Sequence, residues 1–277
     1  MGKGFSIRQT TNLQTNQIME NYKRDGFRYV WDSPDAFLES VLAVTHNTPS
    51  HSPEWTGESR KDMMQRTREG NLALIPQAEA LLSQIEADID ADGPLWQGSV
   101  AGSFPDVPAF LSGDPECMRA RVVCPNEKAP VRVFVCTTSS CGVEASTLLK
   151  RGIAALALVM QLIKQGRPIE LWTFTKLDGN REHEGTTCLL VRMPTAPVDM
   201  ARIAHCLSAC SFDRTLAMGF GYARTGFTGG WARQKDSRKL VNAGPKDIVL
   251  NESKYDDEIV KRPLDWIKQQ LAMLSED

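Results

Sequence analysis

The side chains best suited to chemistry in this sequence lie in residues 219–235, GFGYARTGFTGGWARQK. Four rings, Phe220, Tyr222, Phe227 and Trp231, are set among five glycines and three cations, Arg224, Arg233 and Lys235, without one carboxylate. A core strand does not hold five glycines, and a disordered linker does not carry four aromatics. Flat rings stack on unpaired bases and cations neutralise phosphates, the two sequence-tolerant forces that hold a single nucleic-acid strand. The flanks extend the positive charge through Arg214, Arg238, Lys239 and Lys246, leaving Asp236 as the one acid between residues 214 and 246. The pattern predicts a track for single-stranded DNA with Arg214, Phe220, Tyr222, Arg224, Phe227, Trp231, Arg233, Lys235, Arg238 and Lys239 as its contacts. The competing reading packs the rings beneath a surface loop and leaves the cations solvated.

Enzyme patterns are weaker. The four histidines, His46, His51, His183 and His205, adopt no metal-ligand spacing, and GFGYARTG contains neither a P-loop nor a dinucleotide fingerprint. Cys136 or Cys141 needs a nearby base to act as a nucleophile, and no residue in the sequence nominates one. We therefore expect a non-enzymatic protein with no metal and no cofactor. Seven cysteines without a Cys-x-x-Cys pair read as cytosolic free thiols. The first residues lack the apolar run of a signal peptide, and the run Ile153–Met160 is too short to span a bilayer. A cytoplasmic protein with no membrane partner is the expectation.

The elements that must position these residues follow from periodicity. Residues 1–28 read as a flexible polar, basic arm, and residues 29–277 as a single α/β domain. Within it, 29–95 form a helical layer: Ser33-Pro34 starts one helix through DAFLESVLAV, and Ala78, Leu81, Leu82, Ile85 and Ile89 line one face of another. Residues 96–277 hold the sheet core. VRVFV reads as a buried strand, the segment through Ile153–Met160 as a central helix, and RPIELWTFTKL with TTCLLVRMP as two strands of a hairpin. A helix in PVDMARIAHCLSAC, a short strand DIVLN and an amphipathic helix around PLDWIKQQLAML complete the chain. The fold class is α/β, a mixed β-sheet flanked by helices and not an oligonucleotide-binding barrel. The cations of SRKDMMQRTREG, and Lys150 with Arg151, read as solvated helix faces. The tail from residue 247 holds eight acids against four cations, and its helix reads as packed on the body or on a neighbouring subunit.

Strand, helix, then strand hairpin resembles the von Willebrand factor A-type fold, whose first strand ends in a metal-binding Asp-x-Ser-x-Ser. Here the matching residues are Cys136-Thr137-Thr138-Ser139-Ser140, so hydroxyls remain but a thiol takes the carboxylate position. Hard cations want oxygen ligands, so the resemblance implies an A-type core without an intact metal site. Three blocks, PEWTGESRKDMMQRTREG, AGSFPDVPAFLSGDPECM and VRVFVCTTSSCGVEASTLLKRGIAALALVMQLIKQGRPIELW, resemble the Drc family of single-stranded-DNA-binding RNA polymerase cofactors of Schitoviridae bacteriophages. That resemblance implies a sequence-tolerant DNA-coating protein, a viral RNA polymerase as partner, a homo-oligomer, and the cytoplasm of an infected bacterial host. The alternative is a degenerate A-type module that holds a protein partner around Thr137–Cys141, with no direct role on DNA. A metal-dependent hydrolase using those hydroxyls is the third reading.

Overall fold

The computed structural model describes residues 18–22, 26–45, 52–86, 96–101, 104–105, 107–121, 130–178, 186–224, 237–252 and 257–274. Its first half runs β1 (Ile18–Tyr22), β2 (Gly26–Trp31), α1 (Pro34–Val44), α2 (Pro53–Thr56), α3 (Arg60–Glu69), α4 (Ile75–Glu86), β3 (Trp96–Ser99), β4 (Phe104–Pro105), α5 (Val107–Leu111) and β5 (Met118–Arg121). The second half runs β6 (Val131–Cys136), α6 (Ala145–Lys164), β7 (Ile169–Asp178), β8 (Thr186–Arg192), α7 (Met200–Ser208), α8 (Met218–Arg224), α9 (Ser237–Leu240), β9 (Ile248–Leu250), α10 (Glu258–Lys261) and α11 (Pro263–Met273). Six strands form one mixed sheet in the order β1-β2-β8-β7-β6-β9, and β3-β5-β4 form a second, small one. This is the expected mixed α/β class and not a barrel.

Strand β6 is parallel to β7 on one side and to β9 on the other, whereas β8 returns antiparallel to β7. The carboxyl ends of β6, β7 and β9 therefore meet at one edge, with β6 at the point where the chain switches from one neighbour to the other. In open α/β sheets the crevice outside those ends is where binding sites collect.

Period-two alternation assigns the faces. Val133, Val135, Leu171, Leu189, Val191 and Leu250 point to the large core under the helices, while Phe134, Cys136, Phe174, Cys188 and Leu190 form a smaller cluster with Leu240 and Val241. Helix α6 is buried all round from Arg151 to Val159, as its unbroken apolar run predicts. It crosses α7 so closely that a Cβ on Gly152 would lie 2.4 Å from the Leu207 carbonyl oxygen. Helix α1 starts where the sequence says: the Ser33 hydroxyl accepts the Ala36 N–H at 3.1 Å, with Pro34 in the first turn. Helix α11 turns Ile267 and Leu271 into the large core, so the terminal helix packs on the body.

The structure departs from the sequence reading in three places. Part of the 1–28 arm is not free chain, because Ile18–Tyr22 pairs antiparallel with β2, which itself joins the main sheet beside β8. The small sheet of residues 96–121 has no signature in the sequence, since strands of two to four residues leave no readable period. Residues 212–224, read as a pliable glycine-rich stretch from Gly219 onward, are helical: a π-helical turn, Phe212–Ala217, runs into α8.

Candidate functional site

At the carboxyl end of β6 the chain leaves the sheet through Thr137–Ser140 before entering α6. This loop is fastened to β7. The Thr137 N–H donates to the Phe174 carbonyl at 2.9 Å, the Thr137 and Thr175 hydroxyls meet at 2.8 Å, and the Thr138 hydroxyl accepts the Lys176 N–H at 2.6 Å. Three buried cations then close the edge, and the sequence points to only one of them.

Arg214, in the π-helical turn, is 1% exposed. Its guanidinium donates to the carbonyls of Trp55 at 2.6 Å and Ser140 at 3.0 Å, to the Val143 carbonyl, and to the Ser139 hydroxyl at 3.5 Å. The same group lies 4.7 Å from the Trp55 ring, a cation–π distance. Trp55 in turn donates its indole N–H to the Cys141 carbonyl at 3.0 Å. One planar donor fork thus holds α2, the loop after β6 and the start of α6 together, a task for which a rigid guanidinium is suited.

The second cation, Lys176, is wholly buried and pairs with Glu252 beyond β9, with the Ser237 hydroxyl at 3.3 Å. The third, Arg151, donates to the Cys136 carbonyl at 2.7 Å and to the Asn251 carbonyl, and pairs with Asp257 at 3.0 Å. Reading Arg151 as solvated is therefore wrong. A helix that is apolar all round carries no exposed stripe, so a cation within it must find buried carbonyls and a carboxylate.

Beside Arg214 lies Asp213, 1% exposed, with both carboxyl oxygens lacking a hydrogen bond of normal length. Burial pushes its carboxyl up to about 7, against the opposing pull of the Thr175 hydroxyl, Arg214 and the Thr137 hydroxyl. Burial also pushes the Cys136 thiol up to about 11, although Lys176 and Arg151 draw it down. At neutral pH that position is a neutral thiol and a poor ligand. The edge mixes its hydroxyls and the buried Asp213 carboxyl with a neutral thiol and the buried cations Lys176 and Arg214, and those two positive charges oppose a divalent ion. Among the described residues no three His, Cys, Asp or Glu side chains gather in a metal-holding arrangement.

The nominated DNA contacts scatter. Phe220 is in the large core, its ring 5.1 Å from both Tyr29 and Trp31, and cannot meet a base. Arg214 is consumed by the loop it fastens and cannot meet a phosphate. Arg238 donates to the carbonyls of Asp247, Gly244 and Pro245 and so shapes the turn before β9. Tyr222, Arg224 and Lys239 are exposed. Phe227, Trp231, Arg233 and Lys235 lie outside the described residues.

A cavity of about 240 Å³ opens next to the edge, between α3, the start of α6 and the end of α7, with Glu58, Arg66, His205 and Cys210 among its walls. Glu58 pairs with Arg66 at 2.8 Å and accepts the Ser211 hydroxyl. Its carboxylate stands 3.8 Å from His205, which burial and Arg66 push down to about 4. Burial holds the Cys210 thiol up at about 12. Histidine and thiol are both neutral at pH 7.

Fold and edge together define a mixed α/β domain whose topological switch point is filled by its own cations. Residues 12–274 match the model of a family described as Domain of unknown function (DUF7192), and the chain belongs to that family. No curated protein and no solved structure matches it.

Proposed function

We propose that this chain is a non-enzymatic interaction module, similar in layout to a degenerate A-type domain, that holds a protein partner on the loops at the carboxyl edge of its sheet. The observation that carries this reading is the Arg214 guanidinium, bound to Trp55, Ser139, Ser140 and Val143 where an A-type domain would keep a metal-binding loop. Those bonds and the Lys176–Glu252 pair leave the loop rigid without an ion. Cys141, Glu144 and Ser146 are exposed beside it and supply the contact surface. Strand β6, helix α6 and the antiparallel pair β7–β8 give the strand, helix, hairpin order on which the likeness to the A-type fold rests.

The test uses a photoactivated crosslinker on Cys141, compared with one on a cysteine placed at the exposed Val198. Capture of one partner from Cys141 alone is expected; equal yields from both positions contradict the proposal.

A second reading keeps single-stranded DNA as the ligand and a viral RNA polymerase as the partner. The exposure of Tyr222 and Arg224 at the end of α8 favours the first half; only the resemblance to viral cofactors supports the second. On this reading Tyr222→Ala weakens binding with little change in salt dependence. Arg224→Ala also flattens the dependence of log affinity on log salt, by about 0.7 for one lost phosphate contact. A gel shift with both variants checks it: full retention of binding by both removes this strip as the site.

A further inference from the structure

We propose that helix α5 is a docking knob for a second copy of this chain, which receives it on its basic surface. Val107, Phe110 and Leu111 are 58%, 64% and 78% exposed. At i, i+3 and i+4 they share one side of a helical turn. Three large apolar side chains offered to solvent on one short element are anchors for a groove, since isolated exposed residues need no explanation but a clustered patch does.

Charge identifies the occupant. Residues 69–118 carry nine carboxylates and no Lys, Arg or His, although the whole chain has 32 cations against 34 acids. The remaining residues are therefore net positive, and Arg224, Lys239 and Lys246 are exposed among them. Asp114 and Glu116, both exposed, follow the knob directly. A two-fold dimer through α5 would set these acids against their own copies, and like charges resist that pairing. A head-to-tail contact instead sets the acidic knob on cations, so the contact is heterologous and can propagate. With three anchors it is weak and sensitive to salt, because the screening length falls from about 10 Å at 0.1 M to 3 Å at 1 M.

Sedimentation equilibrium of the full chain tests this. The wild type is expected to associate with rising concentration at low salt and to dissociate at high salt. Phe110→Asp with Leu111→Asp lowers the association constant at least tenfold while leaving the unfolding midpoint unchanged. Two charge-reversed chains sharpen the test: Asp114→Lys with Glu116→Lys, and Arg224→Glu with Lys239→Glu. Each alone stays monomeric, and an equimolar mixture associates again. A wild type that is monomeric at every concentration, a knob variant that associates normally, or a mixture that fails to recover would each overturn the proposal. None of these results bears on the crosslink from Cys141, so the two proposals fail separately.

Discussion

Arg214 fixes three segments through four acceptors, and its loss takes the charged donor from all four, the buried Val143 carbonyl among them. Arg214→Ala should cost about 3–5 kcal/mol in a urea unfolding series, the range for breaking a buried charged network. Arg214→Lys should recover only part of it, since an ammonium cannot reproduce the fork. A variant as stable as wild type would show that the fork fastens nothing. Two buried groups set opposite pH dependences. Asp213 sits at about 7 against the usual 3.8, so its neutral burial contributes stability that is full below pH 3.8 and lost as pH rises through 7. His205 sits at about 4 against the usual 6.5, so its contribution is full above pH 6.5 and lost as pH falls through 4. Between about pH 4 and 6.5 the two slopes oppose each other. Asp213→Asn should therefore make stability rise with pH over that interval and His205→Gln make it fall, by roughly 3–4 kcal/mol each way. Parallel curves for the two variants would contradict these assignments. Lys176 and Asp213 stand among other polar and charged residues in the sequence, and nothing local distinguishes a charge buried by distant elements from one turned to solvent.

The elements with a strong period were legible. Strand β6, helix α6 and the pair β7–β8 follow from the length of their apolar runs and the turn residues that bound them, and α1 follows from Ser33-Pro34. Helix α8 was not legible, because Gly219 and Gly221 argue against a helix and tertiary packing overrides them. The chain turns Phe220 onto Tyr29 and Trp31, which lie on a strand nearly two hundred residues earlier. Phe220→Ala should thus cost about 3–5 kcal/mol, the loss expected for a buried ring, whereas Tyr222→Ala should change the unfolding midpoint little. Equal costs would place both rings in the same environment and contradict the helix. Gly152 makes a matching claim for the α6–α7 crossing. Gly152→Ala forces the backbones apart and should destabilise by about 1–3 kcal/mol, where an open helix surface would instead gain from alanine.

Across the whole molecule, the candidate site separated from the fold because their signals differ in range. Hydrophobic period is local and survives in the sequence, while the closing of an edge by Arg214, Lys176 and Arg151 joins residues from 55 to 257 and has no local signature. The basic, aromatic stretch near Trp231 offered a local signal for DNA, but two of its ten members are interior and a third shapes a turn. Helix α6 is long and apolar enough to cross a bilayer, and two-thirds of its apolar window is instead buried within the fold. Thermal unfolding of the wild-type chain during a titration with magnesium or calcium tests most directly whether its own cations close this edge. The account predicts a midpoint unmoved by either ion or by a chelator. A midpoint that climbs with the logarithm of ion concentration, as mass action requires of a ligand held only by the folded state, would contradict it.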